Sequence, residues 1–403
     1  MVLALLPLLA QPALADEDES LEASETITSG SEKAAVSDRG AEAGATPARE
    51  QSAKVVLGAK ALSLEEDFVG RAVEGCELLY SRDYRGSKQH FVEMDKAYPG
   101  RGIGHMANVL IYQARMMENF DFRFDKAYQT SNEAAIEELE AGLETPGAET
   151  WEHFGIGTLK GVEAIHIMRK SQFLPAIWKG VEALDHINEV KRLAPNFKDV
   201  LLGDGLFKYW RSVVTMDSKA LPDMGDQRQE GIDDMLTAEK EAIFLGPGAT
   251  LALAFTWIEE RQMKKALEYT LANHRAYPDN VVNNMVLARV YLYQRRYDDS
   301  LRVLRLIQAD DPENHRSWYY TATVLLKQRQ YDEALEAIDH YLGFELEPYY
   351  QAQALHRRGD IFYRQKDYST AEKQYKAAVK ADGYKPSKKR LEKIKAKRKA
   401  GEI

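Results

Sequence analysis

The chain has 403 residues, 44% hydrophobic and 29% charged, with 54 basic against 63 acidic side chains and a net charge of −9. That balance excludes a wholly disordered chain, and the net negative charge speaks against a nucleic-acid binder. A lone cysteine, Cys76, excludes an internal disulfide and reads as a small buried hydrophobe or, alternatively, a reactive thiol.

Residues 1–15, MVLALLPLLAQPALA, end in the small-x-small run Ala13-Leu14-Ala15 ahead of the acidic DEDES. This is the pattern a signal peptidase reads, although no Lys or Arg opens it. It implies a periplasmic or otherwise extracytoplasmic protein. A bacterial lipoprotein would carry Cys where Asp16 stands, so lipid attachment is not expected. No later window offers the ~20 apolar residues of a membrane helix. From Asp16 to Ala53 there are ten acidic, three basic and no aromatic residues. Such a stretch cannot repay its ordering entropy, and residues 16–60 are expected to form a disordered acidic linker.

Residues 61–384 carry a repeated pattern. The segment EGCELLYSRDYRGSKQHFVEMDKAYP sets out Gly75, Tyr84, Ser87, Phe91 and Pro99. The middle is less regular: WEHFGIGTLKGVEAIHIMRK and the run from Ala176 predict longer helices, with Gly155, Gly157, Gly161, Gly180, Gly203 and Gly205 as points of close helix contact. The stretch 215–229, TMDSKALPDMGDQRQ, breaks the period as a loop. Further on, Ala266, Ser300, Ala334 and Ala371 open successive second helices at separations of 34, 34 and 37 residues. Tyr297, Tyr331 and Tyr368 sit three residues before them, and Pro278 and Pro312 stop the second helix twelve residues after. Each copy therefore reads as a helix, a tight turn and a second helix, which buries its apolar face only by stacking on neighbours.

These residues resemble the tetratricopeptide repeat, with small residues at its eighth and twentieth positions and proline at the thirty-second. Trp318, Ala322, Tyr331 and Ala334 match one copy; Gly359, Tyr368, Ala371, Tyr375 and Ala378 match the next. The LGDGLFKYW run before a loop, followed by EGIDDM, is similar to a subgroup of secreted bacterial tetratricopeptide proteins. The resemblance implies an all-α, right-handed α-solenoid behind a disordered leader. It also implies a concave groove, lined by first helices, that takes a protein or peptide partner. In this register the groove-facing residues are Met285, Arg289, Arg316, Tyr319, Thr323, Gln353, His356 and Asp360. The Lys/Asn clamp by which related domains hold acidic chaperone tails is missing, because Leu251, Phe255, Met285, Tyr320, Gln353 and Arg357 occupy its places.

No catalytic motif is found. HExxH, GxxxxGK[ST] and GxSxG are all absent, and no two of the nine histidines fall one helical turn apart. The chain is accordingly expected to be non-enzymatic, with no cofactor and no metal. Residues 385–403 carry nine basic and two acidic side chains. With Leu391 and Ile394 on one edge, they read as a helix capping the array or, alternatively, as a weak contact to anionic membrane. The function expected is a non-catalytic interaction scaffold in bacterial envelope complexes; the alternative is an accessory subunit attached to a membrane surface by the basic tail.

Overall fold

The computed structural model describes residues 48–144, 149–170, 172–217 and 225–403; the leader, most of the acidic linker and the loop tip lie outside them. The described residues form eighteen helices and no strand. The N-terminal half comprises α1 (Ala48–Leu62), α2 (Glu66–Tyr80), α3 (Tyr84–Ala97), α4 (Ile103–Asn119), α5 (Asp125–Leu143), α6 (Glu149–Arg169), α7 (Phe173–Leu193), α8 (Val200–Asp217) and α9 (Arg228–Glu241). The C-terminal half comprises α10 (Gly246–Glu259), α11 (Met263–Ala276), α12 (Val281–Tyr293), α13 (Tyr297–Asp310), α14 (His315–Lys327), α15 (Tyr331–Leu342), α16 (Pro348–Arg364), α17 (Tyr368–Asp382) and α18 (Lys385–Lys399). From α2 to α17 they pair into eight antiparallel hairpins stacked side by side.

The period is set where sequence placed it. Gly75 and Ser87, Ala254 and Ala266, Ala288 and Ser300, Ala322 and Ala334, and Gly359 and Ala371 are buried pairs, each twelve residues apart. Ser87 and Ser300 donate hydroxyls to the carbonyls of Gly75 (3.0 Å) and Ala288 (2.7 Å), so helices touch backbone to side chain. A Cβ on Gly75 or Gly359 would meet the ring of Phe91 or Tyr375 at 2.4 or 2.6 Å. One regularity escaped the sequence: Arg82, Arg261, Arg295, Arg329 and Lys366 all take positive φ, each five residues before the small residue of its second helix. That left-handed residue turns the chain between helices, and the next amide closes back on the first helix, as from Arg296 N to Tyr291 O at 2.8 Å.

Composition misjudged the end of the linker. Ala48–Leu62 is a helix, because Ala59 and Leu62 are buried and Lys54 donates to the carbonyl of Lys240 at 3.2 Å. At the other end α18 closes the stack with buried Ile394 and Ser387. The middle helices α6 and α7 run 21 residues each, as their apolar periodicity predicts. Across α8 and α9, Gly205 and Gly231 stand so close that a Cβ on either would lie 2.6 or 2.5 Å from the other's carbonyl oxygen.

The superhelix is wound tightly enough for its two halves to meet. The inner helix α4 packs against α12 and α14, and α1 against α6. One hydrophobic core runs from Ala59 to Ile361.

Candidate functional site

The wall that sequence assigns to a partner is buried within the chain itself, by an N-terminal helix at α12 and α14 and by the C-terminal cap at α16. Met285, Arg289, Arg316, Tyr319, Thr323, Gln353, His356 and Asp360 are all buried, which corrects the expectation of an open groove. The reasons are the tight winding, which packs α4 against α12 and α14, and the cap α18, whose Ser387 and Arg390 meet His356 and Asp360.

Two asparagines fasten this contact. Asn280 and Asn314, 34 residues apart, are the N-caps of α12 and α14, where Oδ1 accepts from the amides of Asn283 (2.9 Å) and Ser317 (3.1 Å). Their Nδ2 groups donate to the carbonyls of Tyr80 (3.0 Å) and Glu118 (3.2 Å). Those carbonyls belong to the last turns of α2 and α4, where no intrahelical partner exists. Each asparagine thus caps the start of one helix and the end of another. Around them the Tyr277 hydroxyl donates to Glu77 (2.8 Å), the Tyr80 hydroxyl donates to the Phe244 carbonyl (3.3 Å), and Arg82 bridges Glu118 and Asp311.

Beyond this clasp lies a chamber rich in arginine and tyrosine. Arg316 is 1% exposed, and its guanidinium faces the rings of Phe120, Tyr319, Tyr320 and Tyr350 at 4.3–5.2 Å. Its Nη1 donates to the Tyr341 hydroxyl (3.2 Å) and to Gln353 Oε1 (3.3 Å). Arg289 stands 5.9 Å from the Tyr320 ring. Arg169, from α6, donates to the carbonyls of Met116 and Asp121 at 3.1 and 2.9 Å. No carboxylate pairs with these three arginines among the described residues, and each has a buried Nε without an acceptor. Ring faces and hydroxyls take the place of counter-ions. Burial alone would raise the Tyr320 hydroxyl, but Arg289, Arg316 and Arg357 around it outweigh that and hold it below the ordinary phenol value.

The predicted residues divide between two networks and the core. Arg289, Arg316, Tyr319 and Gln353 share the chamber. His356 and Asp360 instead attach the cap: His356 Nδ1 meets Ser387 Oγ at 2.9 Å, and Asp360 accepts from the Tyr375 hydroxyl (2.8 Å) and pairs with Arg390 (3.3 Å). Met285 packs in the core, and Thr323 Oγ1 donates to the Tyr319 carbonyl at 2.9 Å. Sequence reasoning missed Arg169, Phe120 and the two clasp asparagines. The recurrence of Asn280 and Asn314 at the repeat spacing was the available signal. Cys76 is half-buried against the core, and burial pushes its thiol up to about 12.

The C-terminal part of the chain carries repeats of the tetratricopeptide superfamily: residues 285–350 match the Tetratricopeptide repeat family and residues 320–398 the Tetratricopeptide repeat-like domain. Among solved structures, a chain of the APC/C hetero-tetramer Cut9-Hcn1 is 11% identical, with 86% of this chain and 59% of that chain covered and a TM-score of 0.54. A tetratricopeptide repeat protein from Parabacteroides merdae is 17% identical, with 70% of this chain and 98% of that chain covered and a TM-score of 0.43. No curated protein matches the chain. Proteins of this superfamily are in general scaffolds for protein contacts rather than catalysts.

Proposed function

We propose that this protein is a non-catalytic interaction scaffold, exported through residues 1–15 and working in cell-envelope complexes, that meets its partner on its outer surface. The observation that carries this reading is the burial of all eight inner-wall residues within the chain itself, with α4 against α12 and α14 and with α17 and α18 closing on His356 and Asp360. A closed superhelix offers its partners the outside. On that outside, Leu174 and Trp178 lie one turn apart on α7, 49% and 63% exposed. An exposed tryptophan of this kind is the residue type that most often anchors an interface. A photo-crosslinking residue placed at position 178 or at position 323 in the living cell tests the reading. Protein adducts at 178 and none at 323 support it; adducts at 323 alone contradict it. N-terminal sequencing of the mature chain checks the export step, which places the first residue at Asp16.

A second reading attaches the protein to anionic membrane through α18. Its apolar edge is used in capping, yet Lys388, Lys389, Lys395 and Lys399 remain exposed on the far side. Salt-sensitive binding to phosphatidylserine vesicles that disappears on changing these four lysines to glutamine is the expected result. Unchanged binding removes the tail from the account.

A further inference from the structure

Two of the nine histidines meet across the hairpin of α6 and α7. His153 on α6 and His186 on α7 bring their Nδ1 atoms to 2.9 Å, with ring centroids 5.1 Å apart and ring planes at 45°. Both side chains are half-buried, so a hydrated ion can reach them. Gly157, one turn after His153, lets the helices close: a Cβ there would lie 3.3 Å from the Ala183 carbonyl oxygen and 3.3 Å from His186 Cβ. The pair stands 33 positions apart in the chain, so no spacing of one helical turn announces it.

The charge around the pair is negative. Glu149 and Glu189 act on His153, and Asp185 and Glu140 act on His186, against the two cations Arg192 and Lys160. Acids therefore outnumber bases four to two. Burial holds both imidazoles below their ordinary value, so both rings are neutral at pH 7, the form in which imidazole ligates a metal. A hydrogen bond between two neutral rings leaves the surplus of negative charge as it was. A cation between them offsets it, each ring giving the lone pair of Nδ1 and carrying its proton at Nε2.

The separation of the nitrogens selects the metal. With imidazole bonds of ~2.0–2.1 Å, a 2.9 Å separation subtends about 90° at the ion, whereas a tetrahedral site requires ~3.3 Å. A right angle belongs to the tetragonal nitrogen and oxygen sites of Cu²⁺ and Ni²⁺, and Cu²⁺ stands highest in the affinity order of the divalent metals. Among the described residues no group of three histidine, cysteine or acidic side chains is placed to hold an ion. The remaining positions therefore fall to water, which supplies the oxygens of such a set. Mg²⁺ and Ca²⁺, which take oxygen ligands, do not suit two imidazoles.

We propose that His153 and His186 form a Cu²⁺ site at the surface of the α6–α7 hairpin, with the two Nδ1 atoms side by side in the metal plane and water completing it. The site makes no use of Trp178 or of α18, so its failure leaves the scaffold reading standing. Titration of the full chain with CuCl2, followed by calorimetry and electron paramagnetic resonance, tests it, with MgCl2 as the control. The expected results are saturable binding of Cu²⁺, no binding of Mg²⁺, and a tetragonal spectrum split by two nitrogens. His153→Gln and His186→Gln each weaken Cu²⁺ at least tenfold and remove one nitrogen from the splitting, while His90→Gln on α3 changes neither. Circular dichroism and Tm of the metal-free variants confirm that they fold. Absence of saturable binding, a spectrum without nitrogen splitting, or affinity in the double variant His153→Gln/His186→Gln equal to that of the parent would overturn the proposal.

Discussion

The helices α10 to α17 and the helices α6 to α9 are built from the same hairpin but are held at contact by different atoms. In the first region small side chains twelve residues apart, such as Ala322 with Ala334, set the distance between paired helices, and a left-handed residue such as Arg329 turns the chain each time. In the second region backbone meets backbone at Gly205 and Gly231, the helices lengthen, and a slot remains beside Gly161. Side-chain volume makes a copyable unit, because every copy fits the next. Backbone contact makes a single junction that cannot be shifted by one residue.

The largest effect should come from the backbone junction. Gly231→Ala puts a methyl group 2.5 Å from the Gly205 carbonyl and 2.9 Å from the Tyr209 amide, and neither backbone atom can turn aside. A loss of about 3 kcal/mol in urea denaturation is expected. A loss under ~1 kcal/mol would show that the junction relaxes as freely as a side-chain contact.

A second effect of similar size is pH-dependent and also belongs to the α6 side. His166 on α6 is buried between Tyr128, Phe122 and Asp125, with Nε2 2.6 Å from the Asp125 carboxylate. Burial pushes this imidazole down to about 4 despite that carboxylate. A histidine whose folded value lies below its unfolded value of ~6.5 contributes fully above that pH. Its contribution is lost as pH falls from ~6.5 toward 4, on the order of 3 kcal/mol in all. His153 and His186, joined across α6 and α7 by a 2.9 Å Nδ1 contact, are also lowered by burial and add to the same limb. Stability measured between pH 7 and pH 5 should therefore fall, and His166→Gln should flatten the slope. An unchanged slope in that variant would place the acid sensitivity elsewhere.

The smallest of these effects separates a cap from a clasp. Asn314→Ala removes the N-cap of α14 and leaves the buried Glu118 carbonyl without its donor, an expected loss of about 2 kcal/mol. Asp367→Ala removes only the N-cap of α17, whose side chain accepts from the Thr370 amide at 3.0 Å, and should cost less. Equal losses would mean that Asn314 holds its own helix and nothing more.

The repeat itself was legible because spacing is a local property. Ala266, Ser300 and Ala334 announce the hairpins, and Pro278 and Pro312 follow the ends of α11 and α13 as expected. The closure was not legible, because the donors of Asn280 and Asn314 reach carbonyls 200 and 196 residues away. The same distance explains the site. Arg289 and Arg316 read as solvated groove residues, and only the packing of the helices makes them buried cations, Arg316 against Phe120 and Tyr350 and Arg289 against Tyr320. The helix Ala48–Leu62 was hidden for a related reason: its few apolar residues suffice only because α2 and the end of α9 lie beneath them.

Thiol labelling decides most directly whether the inner wall is shut. In a chain carrying Cys76→Ser and Thr323→Cys, a maleimide should leave the folded protein unmodified and react fully once urea opens it. Labelling of the folded protein at the rate of an exposed thiol would contradict the closed superhelix.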